Sequence, residues 1–87
     1  MGKRKYPPLT PSEVVAIVKA LGFVFDRQCG SHAHYECEAS GSTPRHVVTV
    51  DMTVDNFDEY LIKSMIRQSG VTRDQFYGAT KGTRRKI

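Results

Sequence analysis

The sequence contains no long apolar run and only two cysteines. A helix that crosses a bilayer needs about 20 mostly apolar residues, and no segment of this chain approaches that length. No apolar segment follows the basic N-terminus, so we expect no secretory signal. Two cysteines without an export signal are typical of free thiols in a reducing compartment. We therefore expect a cytoplasmic protein that does not bind membranes.

The size and charge of the chain favour a polymeric, negatively charged partner. A domain of 87 residues buries only about 60% of its unfolded surface, so it has little room for a deep pocket. Lys and Arg outnumber Asp and Glu by 13 to 9, which gives a net charge of +4. A basic excess favours nucleic acid as the partner, although a solvated basic surface would account for the same charge.

Much of the positive charge lies near the two ends of the chain. Basic residues precede a Pro7-Pro8 pair at one end and close the chain at the other. We predict flexible basic tails at residues 1–8 and 79–87, which would add only weak phosphate contacts. A single folded domain is predicted between them, over residues 9–78.

Helix signals flank the middle of the chain. Thr10-Pro11-Ser12-Glu13 is a capping box, and apolar residues then follow at helical spacing until Gly22. A second helix is predicted over 57–68, ending before Gly70. A further capping box at Thr72 predicts a short helical turn. That turn carries Phe76 and Tyr77, and the apolar residues expected in the core of this half are Phe57, Leu61, Met65 and Ile66.

Three β-prone segments lie between these helices, over 23–28, 31–37 and 45–50. Short connections, including a loop at 39–44, predict an antiparallel meander. The expected fold is α+β, a two-layer α-β-β-β-α sandwich with a short C-terminal helical turn. Both helices would cover one face of the three-stranded sheet and leave the other open. Double-stranded-RNA-binding domains have this architecture.

The segment Cys29 to Tyr35 combines a tight turn with two histidines. In a strand, His32 and His34 point to the same face and Tyr35 to the other. A histidine exchanges protons near neutral pH, and backbone N–H groups in the turn at Gly30 and Ser31 can meet an anion. In a basic chain this pattern suggests chemistry on a phosphodiester. The alternative is that His32 is an ordinary hydrogen-bonded residue at a strand end.

The cysteines and histidines of this segment do not form a convincing zinc site. Their spacing is C-x₂-H-x-H-x₂-C, but Cys37 has the opposite strand parity from His32 and His34, so it faces the other side of the sheet. We expect Cys37 to act as a small buried apolar residue and Cys29 to be a partly exposed thiol. A nucleophilic Cys29–His32 pair would lack a third group that orients the histidine. No metal or other cofactor is expected.

From Leu9 to Tyr77 the chain resembles the HicA-type toxins. The matching residues are Leu21-Gly22-Phe23, the run from Arg27 to Tyr35 with its Gly-Ser-His turn, the valine-rich third strand, and the run from Ile62 to Phe76. The resemblance implies a fold like that of a double-stranded-RNA-binding domain. It also implies an mRNA interferase of a type II toxin–antitoxin system, which cleaves RNA without a metal and is neutralised by a HicB-type antitoxin. The catalytic histidine of the family corresponds to His32.

On this interpretation, His32 acts as a general base on a ribose 2′-OH. His34 or His46 would protonate the leaving oxygen, if the strand register brings one of them near. The phosphate would be bound by the N–H groups of Gly30 and Ser31 together with a nearby guanidinium. The two candidates for that guanidinium are Arg27 and Arg45.

One segment departs from the family pattern. The family often has a Pro-plus-His segment after the third strand, whereas this chain has acidic residues over 51–59, namely Asp51, Asp55, Asp58 and Glu59. Carboxylates there would repel phosphate, or would alter the interface with the antitoxin. Two alternative functions therefore stay open: a non-catalytic RNA-binding module, and a degenerate toxin that acts only as an interaction partner.

Overall fold

The computed structural model describes residues 5–38 and 45–87. The loop expected at 39–44 and the first basic residues lie outside these ranges. A helix comes first, three strands follow, and three helices close the chain. The elements are α1 (Pro11–Ala20), β1 (Val24–Cys29), β2 (His32–Cys37), β3 (His46–Asp51), α2 (Glu59–Ser69), α3 (Arg73–Gly78) and α4 (Lys81–Arg84).

The strands form one antiparallel sheet in the order β1-β2-β3. A two-residue turn, Gly30-Ser31, joins β1 to β2, and Gly30 has a φ of +58°. This positive φ at the first turn position favours glycine, as in type II′ hairpins. The register of β1 shifts between Phe25 and Arg27, so Asp26 is the extra residue of a β-bulge. The meander predicted from the sequence is confirmed.

The helices cover one face of the sheet, as the predicted sandwich requires. We call this the helix face, and it carries Ala33 and Tyr35 of β2 with Val48 and Val50 of β3, all buried. Helices α1 and α2 pack against β3. Every residue of β1, in contrast, is exposed. The α+β fold with a small antiparallel sheet is therefore confirmed, with its core on the β2–β3 side. The core residues are Leu9, Val14, Ile17, Val18, Phe23, Ala33, Tyr35, Val48, Val50, Phe57, Ile62, Met65, Phe76 and Tyr77.

Helix α2 begins two residues later than expected. Asp58 is its N-cap and accepts a hydrogen bond from the N–H of Leu61. Phe57 lies before the helix, where its N–H donates to the carbonyl of Leu9. The buried stripe then falls on Ile62 and Met65, while Leu61 is 41% exposed. The prediction that Leu61 belongs to the core was therefore wrong, because Leu61 flanks the stripe.

The described parts of both chain ends contact the domain. Pro7 is buried, and its carbonyl accepts a hydrogen bond of 2.7 Å from the hydroxyl of Tyr77. At the other end, α4 was not predicted because Lys81–Arg84 has no apolar periodicity. Its Thr83 is nevertheless buried and donates to the carbonyl of Tyr77 at 2.7 Å. Within the described residues, no helix has the length and apolar character that a bilayer span requires.

Candidate active site

The second strand presents two histidines on the uncovered side of the sheet. We call this side the open face. The side chain of His32 is 54% exposed and that of His34 is half-buried. Ala33, between the two histidines, and Tyr35, which follows His34, are both buried. The alternation follows from the two-residue period of a strand. The prediction that His32 and His34 share a face, opposite Tyr35, is confirmed.

The Gly30-Ser31 turn holds His32 at the first position of β2. Cys29 and His32 are direct partners across the hairpin. The side-chain amide of Gln28 donates to the carbonyl of Gly30 at 3.0 Å, and the N–H of Met52 donates to the carbonyl of Ser31 at 2.8 Å. The turn is thus braced by β1 on one side and by the segment after β3 on the other. His32 is therefore placed by ordered backbone rather than by a loose loop.

His34 and Arg27 are cross-strand neighbours on the open face. Arg27 is the β1 partner of His34, and Thr49 is its β3 partner. The Nδ1 atom of His34 lies 3.1 Å from the Thr49 hydroxyl, within hydrogen-bond distance. The side chain of Arg27 is 62% exposed and its guanidinium pairs with Asp26 at 2.7 Å. The structure thus brings together His32, His34 and Arg27, three of the residues expected at the site.

Asp51 is a site residue that the sequence analysis read only as part of an acidic segment. It is the β3 partner of His32, and its Oδ2 lies 3.9 Å from Nε2 of the ring. Two hydrogen bonds from Thr53 hold the pKa of Asp51 below its usual range, with a smaller contribution from the charge of His32. The signal was present in the sequence, because the alternation of β3 buries Val48 and Val50 and so turns Asp51 outward.

His46 lies on the opposite face of the sheet from His32, which corrects the suggestion that it serves the same phosphate. It pairs with Cys37, at the far end of β2. Five residues at about 3.3 Å each separate Cys37 from His32, or about 16 Å along the strand. The Nδ1–H of His46 instead donates to the carbonyl of Gln68 at the end of α2, at 3.2 Å.

Arg45 is also far from His32 and is occupied by another partner. Its Nε and Nη2 donate to the two carboxylate oxygens of Glu36 at 2.9 and 2.8 Å. This two-pronged geometry is the strongest that an Arg–carboxylate pair adopts. The hydrogen bond from Arg45 lowers the pKa of Glu36. Of the two guanidinium groups expected at a phosphate, only Arg27 is therefore beside the histidines.

The cysteines and histidines of the hairpin do not converge on one point. Cys29, His32 and His34 occupy the open face, whereas Cys37 is half-buried on the side of the core. Cys29 is an exposed thiol. Among the residues that the structure describes, no three His, Cys, Asp or Glu side chains are grouped so that they hold a metal ion.

Comparison with known proteins identifies the class to which this fold belongs. The family model described as the HicA toxin of bacterial toxin–antitoxin systems matches residues 11–71. This range runs from the start of α1, through all three strands and the turn that bears His32, to the end of α2. A search of curated proteins finds no match. Because the family model covers more than half of the 87 residues, the chain belongs to the HicA family of toxins of bacterial toxin–antitoxin systems.

Proposed function

We propose that this toxin is an endoribonuclease that cleaves mRNA, and that His32 is its catalytic residue. The family supplies the class of toxin. The observation that carries the proposal is the half-exposed imidazole of His32 on the open face, next to a turn, with Arg27 on the neighbouring strand. An RNA strand that lies across this face can bring a ribose and its phosphate to the ring without any opening of the fold.

In the proposed reaction, His32 takes the proton of a ribose 2′-OH. The 2′-oxygen then attacks the adjacent phosphorus, and the bond from phosphorus to the 5′-oxygen breaks. The products are a 2′,3′-cyclic phosphate and a 5′-hydroxyl. Positioned proton transfer of this kind accelerates a reaction by about 10²–10⁴-fold. No step needs a metal ion or another cofactor.

His34 is the better candidate for the acid that protonates the leaving 5′-oxygen. It is on the same face as His32, two residues along β2, or about 6.6 Å at 3.3 Å per residue. The attacking and leaving oxygens lie on opposite sides of the phosphorus, so two imidazoles at this separation can serve one oxygen each. His46, on the other side of the sheet, is left out of the mechanism.

The phosphate is proposed to sit toward β1, between the turn and Arg27. The N–H groups of Gly30 and Ser31 would donate to its oxygens, and the exposed guanidinium of Arg27 would supply a positive charge. Donors that are already in place stabilise the negative charge that grows in the transition state. Arg45 takes no part, because Glu36 holds it at the other end of the strand.

A toxin–antitoxin system implies an antitoxin, and we propose that it is of the HicB type. The target mRNA and the antitoxin would both be met in the cytoplasm. The net charge of +4 favours the approach of RNA. An antitoxin that covers the open face would block access to His32.

The experiment that tests this function uses the purified full chain and a defined RNA strand. The wild type is expected to cleave the strand equally well with and without a chelator, and to leave 2′,3′-cyclic phosphate ends. His32→Ala is expected to bind the RNA but to cleave it at least 100-fold more slowly. Binding without cleavage by the wild type would instead identify an RNA-binding module. Neither binding nor cleavage would indicate a toxin that acts only through its protein partner.

A further inference from the structure

We propose that Asp51 is a positioning residue that orients His32 and stabilises its protonated form during RNA cleavage. This inference rests on the proposed function of His32. Asp51 belongs to the acidic segment in which this chain departs from the pattern of the family. In the structure this residue lies beside the proposed catalytic histidine, because Asp51 and His32 are direct partners across β2 and β3.

The carboxylate of Asp51 is held in a fixed orientation. Its Oδ1 accepts one hydrogen bond from the N–H of Thr53 at 3.0 Å and another from the Thr53 hydroxyl at 2.7 Å. An aspartate that accepts from the backbone two residues later forms an Asx-turn, which restrains its side chain. The second oxygen, Oδ2, is the one that approaches Nε2 of His32, at 3.9 Å.

A fixed carboxylate at this position helps a histidine that acts as a base. When His32 removes the proton of the 2′-OH, its ring becomes positively charged, and the adjacent negative charge stabilises that form. The same contact favours a proton on Nε2, so that Nδ1 is left unprotonated to act as the base. Because its pKa is lowered, Asp51 remains ionised at neutral pH.

Repulsion between Asp51 and the RNA phosphate is the competing effect. Asp51 approaches His32 from the β3 side, whereas Arg27 lies on β1. A phosphate bound between the turn and Arg27 meets their N–H groups and positive charge, which offset its repulsion by Asp51. Asp51 itself is 3.9 Å from the His32 ring, close enough to stabilise a positive charge there.

The test compares Asp51→Asn with a matched control, Asp55→Asn, which removes one charge from an exposed position in the same segment. The asparagine at position 51 still accepts from the N–H of Thr53, so the fold is retained. We expect Asp51→Asn to lower kcat at least tenfold with KM changed less than twofold. Asp55→Asn should leave both values unchanged. A second variant, Thr53→Val, keeps the charge of Asp51 but removes the hydrogen bond from the Thr53 hydroxyl. It should lower kcat by a smaller factor.

A spectroscopic measurement tests the contact without relying on activity. The ¹⁵N chemical shifts of the His32 ring report which nitrogen carries the proton. They should change in Asp51→Asn and stay constant in Asp55→Asn. Faster cleavage by Asp51→Asn, equal losses in both variants, or unchanged ring shifts would overturn the proposal. If the wild type does not cleave RNA, the proposed function itself fails, and a shift confined to Asp51→Asn would then show a contact without a catalytic role.

Discussion

The ring of His46 lies directly over Gly70, the residue that ends α2. A Cβ placed on Gly70 would meet Cε1 of His46 at 2.6 Å, and the φ of Gly70 is +75°. The position thus demands glycine for two independent reasons, a left-handed backbone and a close neighbour. Nearby, the side chain of Gln68 accepts from the N–H of Thr49 at 3.3 Å. The end of α2 is therefore fastened along the outer edge of β3.

Replacing Gly70 with alanine should destabilise the fold through both effects. The left-handed backbone costs about 1–2 kcal/mol for a residue with a Cβ, and the clash with His46 adds about 1–3 kcal/mol. In a His46→Ala background, only the backbone cost should remain. Urea unfolding of both single variants and of the double variant measures this coupling. Equal costs of Gly70→Ala in the two backgrounds would show that His46 does not limit the space.

Removing the hydroxyl of Tyr77 should loosen the N-terminal segment. Tyr77 is fully buried, its hydroxyl donates to the carbonyl of Pro7, and burial raises its pKa. Tyr77→Phe leaves that carbonyl unpaired and should lower the free energy of unfolding by about 1–2 kcal/mol. The expected fall in Tm is about 4–8 °C for each kcal/mol in a domain of this size. Tyr60→Phe, at an exposed position, is the control and should leave Tm unchanged.

Two carboxylates on the open face should make the fold less stable in acid. The pKa of Glu36 is lowered by its hydrogen bond from Arg45, and that of Asp51 by its bonds from Thr53. A lowered pKa in the folded state means that the unfolded chain binds protons more readily, so stability falls as pH decreases. This contribution is complete above about pH 5 and is lost below the ordinary carboxyl range near pH 4.

Urea unfolding at several pH values measures this dependence. The variant that combines Glu36→Gln with Asp51→Asn should show a smaller loss of stability between pH 6 and pH 3 than the wild type. Asp55→Asn combined with Glu38→Gln removes the same charge and serves as the control, since both side chains are exposed. An equally steep loss in the first variant and in the wild type would contradict the assigned role of the two hydrogen-bonded carboxylates.

Arg27 and Arg45 should differ in their effect on RNA. Arg27 is the cross-strand partner of His34 and its side chain is 62% exposed. Arg45, in contrast, donates hydrogen bonds to both carboxylate oxygens of Glu36. Arg27→Gln should raise the KM for RNA several-fold and reduce the salt dependence of binding, because a phosphate contact is lost. Arg45→Gln should change KM less than twofold. Binding titrations at several salt concentrations measure both, and equal effects would show that only total charge matters.

Much of the fold follows from local signals in the sequence. The capping box at Thr10 marks a helix start through hydrogen bonds between side chains and backbone, and the positive-φ glycine after α2 marks a helix end through backbone hydrogen bonds. Helix α4 was missed because a buried Thr83, bonded to the carbonyl of Tyr77, holds it in place. A tertiary contact of that kind leaves no periodic pattern in the sequence. Leu61 was expected in the core because its spacing from Phe57 and Met65 is helical. Phe57, however, lies before α2, and the buried stripe of the helix falls on Ile62 and Met65.

The candidate site could be predicted along one strand but not between strands. The alternation of β2 placed His32 and His34 together, because a strand has a fixed two-residue period. The partners of these residues depend on the register between β2 and β3, which the two-residue period of a single strand does not fix. That register pairs Asp51 with His32 and His46 with Cys37. The alternation of β3 gives the face of each residue, but these pairings required the three-dimensional structure.

The most direct test of the account compares the cleavage rates of His32→Ala and His46→Ala on the same RNA strand under single-turnover conditions. Each variant loses one imidazole, but from opposite faces of the sheet. We predict a rate at least 100-fold below the wild type for His32→Ala, and a rate within about threefold of the wild type for folded His46→Ala. Cleavage that survives the loss of His32, or that depends equally on both histidines, would contradict it.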